Sequence, residues 1–149
     1  PSLRIGYLVV PRDLVDDFIR HRESIDLFSP TLDQIVLTEF LAQGHFGRHL
    51  RRMRALYHAR RNALVRALAQ HAPSLVPHNT DAGLHITAFL PDDADDVALV
   101  RNATQRGLDM TALSTCYAGR TKRPGLILGF GGASERRLIA ACKTLGEVL

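Results

Sequence analysis

The chain has 149 residues, of which 46% are hydrophobic and 23% charged, an ordinary globular composition at a length suited to one domain or two small ones. That excludes a disordered tail, a collagen-like rod and a disulfide-stapled miniprotein, and no apolar run approaches the ~18 residues of a membrane span. Lys and Arg number 19 against 15 Asp and Glu, a net +4 with His neutral, which permits an anionic partner without demanding nucleic acid.

Cys116 and Cys142 are far apart and form no CxxC pair, so they read as reduced thiols of a cytoplasmic protein. The chain starts at Pro1 with no basic-then-apolar leader, which reads as a cleavage or as the interior of a longer polypeptide.

Arg4 to Val10, rich in β-branched and aromatic residues and stopped by Pro11, reads as a buried strand. A short helix is expected over about Arg12 to His21, with Leu14, Val15, Phe18 and Ile19 on one side. Ser29-Pro-Thr-Leu-Asp-Gln34 is a helix start: either Ser29 caps with Pro30 first in the helix, or Thr31 and Gln34 form a capping box. Gly44 can supply the left-handed turn that ends this helix.

The strongest pattern runs from His45 to His71. Phe46, Leu50, Met53, Tyr57, Leu64 and Leu68 recur with the period of one helical face, predicting a helix about 40 Å long that ends before Pro73. Leu84 to Leu90 alternates like a half-buried strand. Asp95 to Arg106 reads as a helix closed by Gly107, Leu108 to Leu113 and Leu126 to Phe130 as strands, and a last helix carries Leu138, Cys142, Leu145 and Leu149 on one face. The expected fold is α+β in two layers: a small sheet of about three strands with helices packed on one face, preceded by the long helix. Strand 4–10 lies far from any partner, so its backbone groups need another strand from the later sequence, another chain or sequence not present here.

Several patterns have a simple structural reading. Arg48, Arg51, Arg52, Arg54, Arg60, Arg61 and Arg66 share the long helix with no acid; they could follow phosphates, but a solvated face with apolar stems suffices. Asp92, Asp93, Asp95 and Asp96 lack the glycine turn and the bidentate Glu of a calcium loop and suit the start of a helix. Gly129-Phe-Gly-Gly-Ala-Ser134 lacks the ending of a phosphate loop and reads as a strand-to-helix turn capped by Ser134. His45 and His49 have zinc-ligand spacing but no HExxH and no carboxylate partner. No metal site is expected, and no nucleophile motif appears.

Several segments in order resemble the C-terminal, small-domain part of a fold-type-I pyridoxal-phosphate aminotransferase, and most of all the aminotransferase-like domain of MocR/GabR-type transcriptional regulators of the GntR family. They are Pro1-Ser-Leu-Arg-Ile-Gly-Tyr-Leu-Val-Val-Pro11; Gly44-His-Phe-Gly-Arg-His-Leu-Arg-Arg-Met-Arg54 with Tyr57 and Arg60-Arg61; Gly83-Leu-His85; Ala112-Leu-Ser114 with Tyr117; and Gly125-Leu-Ile-Leu-Gly-Phe130. The resemblance implies that residues 1–11 are the last strand of a cofactor-binding large domain, 12–44 connecting helices and 45–149 the small domain.

It also implies that Arg4 binds the phosphate of pyridoxal 5'-phosphate in the intact protein, a role suited to a guanidinium fork. The Schiff-base lysine of the family would fall just before Pro1, so no catalytic residue is assigned within the chain and no stable binding of the cofactor to the chain alone is expected. The arginine that grips the substrate carboxylate in kynurenine- or aminoadipate-type aminotransferases falls at Ile127. Arg120 and Arg123, just upstream, are the candidates for that role. A regulator of this kind would be a cytoplasmic homodimer without membrane attachment. It would bind DNA through an N-terminal winged helix and sense an amine or amino acid through the cofactor. The alternatives are a part of a genuine aminotransferase or a cofactor-free interaction domain.

Overall fold

The computed structural model describes residues 4–26, 30–78, 82–119 and 122–149. The chain divides into two compact units, Pro1–Arg51 and Arg52–Leu149.

In the first unit, a 3-10 turn at Arg12–Leu14 leads into α1 (Val15–Ile25), followed by α2 (Thr31–Ala42). α1 begins and ends later than the expected helix over 12–21. Thr31 is the first residue of α2, behind Pro30, rather than its cap, and Ser29 lies outside the described residues. Gly44 adopts φ 71°, the left-handed turn expected after α2. The expected strand over 4–10 does not form: residues 4 to 11 carry no ladder, and Tyr7, Leu8 and Val9 are exposed. The stretch has strand propensity, but no other strand of this unit offers it hydrogen bonds, and an unpaired strand is not stable in water. None of the described residues of this unit is buried. Residues 5–10, α1 and α2 instead border an open groove of about 1040 Å³.

α3 (His45–His71) follows as one 27-residue helix, as its apolar period predicts. In the second unit its buried residues are Ala63, Leu64, Ala67 and Leu68, with Tyr57 partly buried against the core. Beyond it come β1 (Val76–Pro77), β2 (His85–Phe89), α4 (Asp96–Gln105), β3 (Thr111–Ala112), β4 (Gly125–Gly129) and α5 (Glu135–Gly146). The four strands form one sheet in the order β1-β2-β4-β3, antiparallel at every pairing. The sheet thus gains a strand over the three expected. β1 is only two residues long and contains a proline, so no alternation announces it. The strand expected over 108–113 shrinks to Thr111–Ala112 because a 3-10 turn at Leu113–Cys116 takes the chain out of the ladder.

The register sorts the sheet into two faces. Ile86 lies opposite Leu128, and Leu126 opposite both Ala88 and Ala112; all five are buried. Leu64, Ala67 and Leu68 of α3 and Leu138, Cys142 and Leu145 of α5 complete this core, with Leu99 and Val100 of α4 packed against it. Each large aliphatic side chain buried there contributes about 1.5–3 kcal/mol. The result is the expected two-layer α+β arrangement.

Side chains set the helix starts. Asp95 accepts the Ala98 N–H and caps α4, and Ser134 accepts the Arg137 N–H and caps α5. Gly107, at φ 80°, closes α4. A Cβ on Gly146 would lie 1.9 Å from the His71 carbonyl oxygen, so the ends of α3 and α5 can approach this closely only with glycine there.

Candidate functional site

The other face of the sheet carries the chemistry. On it His85 lies opposite Gly129, Thr87 opposite Ile127, Ile127 opposite Thr111, and Phe89 opposite Gly125. Thr87, Phe89 and Ile127 are half-buried and His85 is exposed, so this face stays accessible while the opposite one is sealed by helices. Ile127, where the family resemblance places a carboxylate-gripping arginine, stands between two threonines and offers no charge.

Arg123, in the loop leading into β4, is exposed, and its guanidinium carbon lies 3.7 Å from the centroid of the Phe89 ring. The His78 ring meets the same phenyl edge-on, with centroids 5.7 Å apart. Gly125, opposite Phe89, brings no side chain to compete for this space. It could not carry one, since a Cβ there would lie 2.6 Å from the Ala88 carbonyl oxygen. Among the described residues no carboxylate or carbonyl is bonded to the Arg123 guanidinium. Arg120 lies outside the described residues. Arg4 belongs to the first unit, is exposed and adopts φ 51°, a left-handed conformation that costs a non-glycine residue about 1 kcal/mol.

A residue not singled out as a site holds the Arg123 loop at both ends. Asp96 is 3% exposed. Its Oδ1 accepts the Ser114 hydroxyl at 2.6 Å, and its Oδ2 accepts the Ser114 N–H at 2.9 Å and the Gly125 N–H at 3.0 Å. Burial pushes this carboxyl up. The Ser114 hydroxyl and the amides of Ser114, Gly125 and Val97 outweigh burial and hold it below the ordinary aspartate value. The loop from 115 to 124 is thereby closed at its base by one carboxylate. At the other end of β4, Arg60 of α3 donates to the Gly131 carbonyl, tying down the turn that Ser134 caps. Of the other α3 arginines in this unit, Arg52, Arg54 and Arg66 are exposed and Arg61 is half-buried.

Against solved structures, the chain superposes over its full length on an α-aminoadipate aminotransferase from Thermus thermophilus, complexed there with N-(5'-phosphopyridoxyl)-L-leucine. The TM-score is 0.89 at 21% identity, and the match covers 38% of that enzyme chain. In sequence it is 34% identical over 139 residues to a probable rhizopine catabolism regulatory protein, MocR, of Rhizobium meliloti, spanning 93% of this chain and 28% of that protein. The chain is similar to the aminotransferase-like part of MocR/GntR-type regulators and shares the fold of the matching part of fold-type-I aminotransferases. An aromatic-amino-acid aminotransferase of Thermococcus litoralis is 23% identical over 150 residues, with 100% of this chain and 36% of that enzyme matched. The chain thus spans about a third of the length of the relatives it matches. No family model matches it. No helix among the described residues is long and apolar enough to cross a membrane.

Of a pyridoxal-phosphate site, Arg4 is the one side chain of this chain that the family resemblance assigns. Arg4 offers a guanidinium with the geometry a phosphate accepts. The chain's lysines, Lys122 and Lys143, are both exposed.

Proposed function

We propose that this chain is the C-terminal part of the effector-sensing region of a MocR-type transcriptional regulator. In the whole protein, pyridoxal 5'-phosphate supplies reversible covalent capture of an amine or amino acid. The chain's own part is to hold the phosphate through Arg4 of its first unit, and in its second unit Arg123 and Arg120 are the candidates for a ligand carboxylate. Residues 1–11 are then the last strand of the cofactor-holding domain, residues 12–44 the connecting helices and 45–149 the small domain. The unpaired apolar stretch at Tyr7, Leu8 and Val9 supports this, since a strand needs neighbours. DNA would be bound by a winged helix far upstream, and the protein would act as a cytoplasmic homodimer. Effector binding would change DNA affinity by shifting a conformational population.

The observation that carries this reading is the identity to a regulator, 34% over 93% of the chain, against 23% to an aminotransferase. Ile127 in place of a carboxylate-binding arginine also weighs against ordinary α-amino acid transamination.

The test uses the whole protein that contains this chain. It should purify with the visible absorbance of bound pyridoxal phosphate. Arg4→Gln should lower its retention on dialysis, and amines should change its affinity for the DNA upstream of its own coding sequence. The second reading, a genuine aminotransferase, rests on the sequence match over 100% of the chain to the Thermococcus litoralis enzyme. It would be chosen by multiple-turnover transfer of an amino group to a 2-oxo acid with no DNA binding.

A further inference from the structure

We infer that Phe89 is a positioning residue that holds Arg123 as a receptor for a ligand carboxylate on the open sheet face. The inference rests on the reading of this chain as a small-molecule-responsive, aminotransferase-like part, and it adds which group reads the ligand and what holds that group in place.

An arginine on an exposed loop ordinarily samples many rotamers, and ordering it on binding an anion costs free energy. Here the guanidinium rests on the face of Phe89 at 3.7 Å. Cation–π attraction of about 1 kcal/mol selects that placement before any ligand arrives. The phenyl ring is itself held: Phe89 ends the inner strand β2, with Val76 of β1 on one side and Gly125 of β4 on the other, and His78 meets its edge.

Stacking uses the π face of the guanidinium and leaves its N–H edges free, and no described residue satisfies them. A planar fork of unpaired donors held in one place matches a carboxylate in two-point contact. A single guanidinium supplies one charge, which suits a carboxylate better than a phosphate dianion. Asp96 closes the base of the loop through Ser114 and Gly125 and so limits how far Arg123 can drift.

The test is an NMR titration of the full chain, observing the Arg123 side-chain Nε–H and the Phe89 ring. The probes are glutarate, its neutral counterpart glutaramide, and inorganic phosphate. Glutarate should shift both resonances saturably, and glutaramide should not. Arg123→Gln should abolish the Phe89 ring shift. Phe89→Tyr, which keeps the π face, should bind glutarate as wild type does, whereas Phe89→Leu should bind about fivefold more weakly.

Absence of a saturable glutarate response overturns the receptor. Equal affinity in Phe89→Leu and wild type overturns the positioning role, and phosphate binding more tightly than glutarate overturns the carboxylate assignment. Should Phe89→Leu fail to fold, Phe89→Met, which also lacks a π face, makes the same comparison, and Arg123→Gln still tests the receptor. The regulator reading fails separately, through absent cofactor absorbance or absent DNA binding in the whole protein, whatever the titration shows.

Discussion

Asp96 accepts the amide N–H of Gly125 at 3.0 Å across 29 positions of sequence. Together with the two bonds from Ser114, this joins the first turn of α4, the 3-10 turn after β3 and the start of β4 at one buried carboxylate. Removing the acceptor strands at least two backbone donors, Ser114 N–H and Gly125 N–H. Asp96→Ala should therefore cost about 3 kcal/mol in urea unfolding. Asp96→Asn should cost less but still be destabilising, since its amide group brings donors where the protein already supplies them.

The same carboxylate carries a pH signature. Its folded pKa lies below the ordinary value, so its contribution is complete above the unfolded-state pKa of about 3.9 and fades as pH falls through the lower folded value. The stability gap between wild type and Asp96→Asn should thus be full near about pH 6 and shrink below about pH 4. A gap that stays constant into acid would show that the ionised form is not what the hydrogen bonds favour.

Two glycines should tolerate no side chain, for a reason unrelated to turn conformation. A Cβ at Gly146 would sit 1.9 Å from the His71 carbonyl oxygen, and one at Gly125 would sit 2.6 Å from that of Ala88. Both obstacles are backbone, so relief requires whole elements to move. Gly146→Ala and Gly125→Ala should each cost at least about 2 kcal/mol in thermal melts. Gly132→Ala, where a Cβ meets nothing within 4 Å, should change stability by no more than about 0.5 kcal/mol.

These residues mark where sequence reading works and where it stops. α3 is legible because its apolar period runs for many turns. The Ser134 cap and the left-handed glycines at 44 and 107 are legible because each acts within a few residues of itself. Asp96 is read as a charge at a helix start, which it is, but its partners lie 18 and 29 positions away, and no local pattern encodes them. The stack of Arg123 on Phe89 is hidden in the same way, since it needs the β2–β4 register. Strand 4–10 is the converse case: local propensity is strong, yet a strand is a property of a pair and no partner forms within its unit. Ile127 shows up in sequence only as an absence, through the resemblance.

Hydrogen exchange should separate the two units. α1 (Val15–Ile25) and α2 (Thr31–Ala42) contain no buried residue, and helices of this length gain most of their stability from packing. Their amides should exchange quickly, near the rates of an unprotected chain. Amides of Leu64 to Leu68, Ile86 to Ala88 and Leu126 to Leu128 lie in the sealed core and should exchange only through global unfolding. In the whole protein, if residues 1–11 complete a sheet as proposed, amides 5–10 should become protected. Equal exchange of residues 5–10 in the chain and in the whole protein would contradict that placement.

The two thiols should behave as opposites, and the buried one gives a clock for unfolding. Cys142 is 2% exposed among Leu138, Leu145 and the sheet, and burial pushes its thiol up to about 11. At neutral pH it is almost entirely protonated and shielded, and the thiolate is the reactive form. Cys116 is exposed on the 3-10 turn beside Ser114. An aromatic disulfide reagent should therefore label one thiol per chain promptly and the second only as the molecule opens. In Cys116→Ser the remaining reaction should become independent of reagent concentration once reagent is in excess. It should accelerate with urea in step with the unfolding rate, because opening rather than chemistry then limits it. Prompt labelling of Cys142 in that variant would mean that the α5 face of the core opens locally without global unfolding.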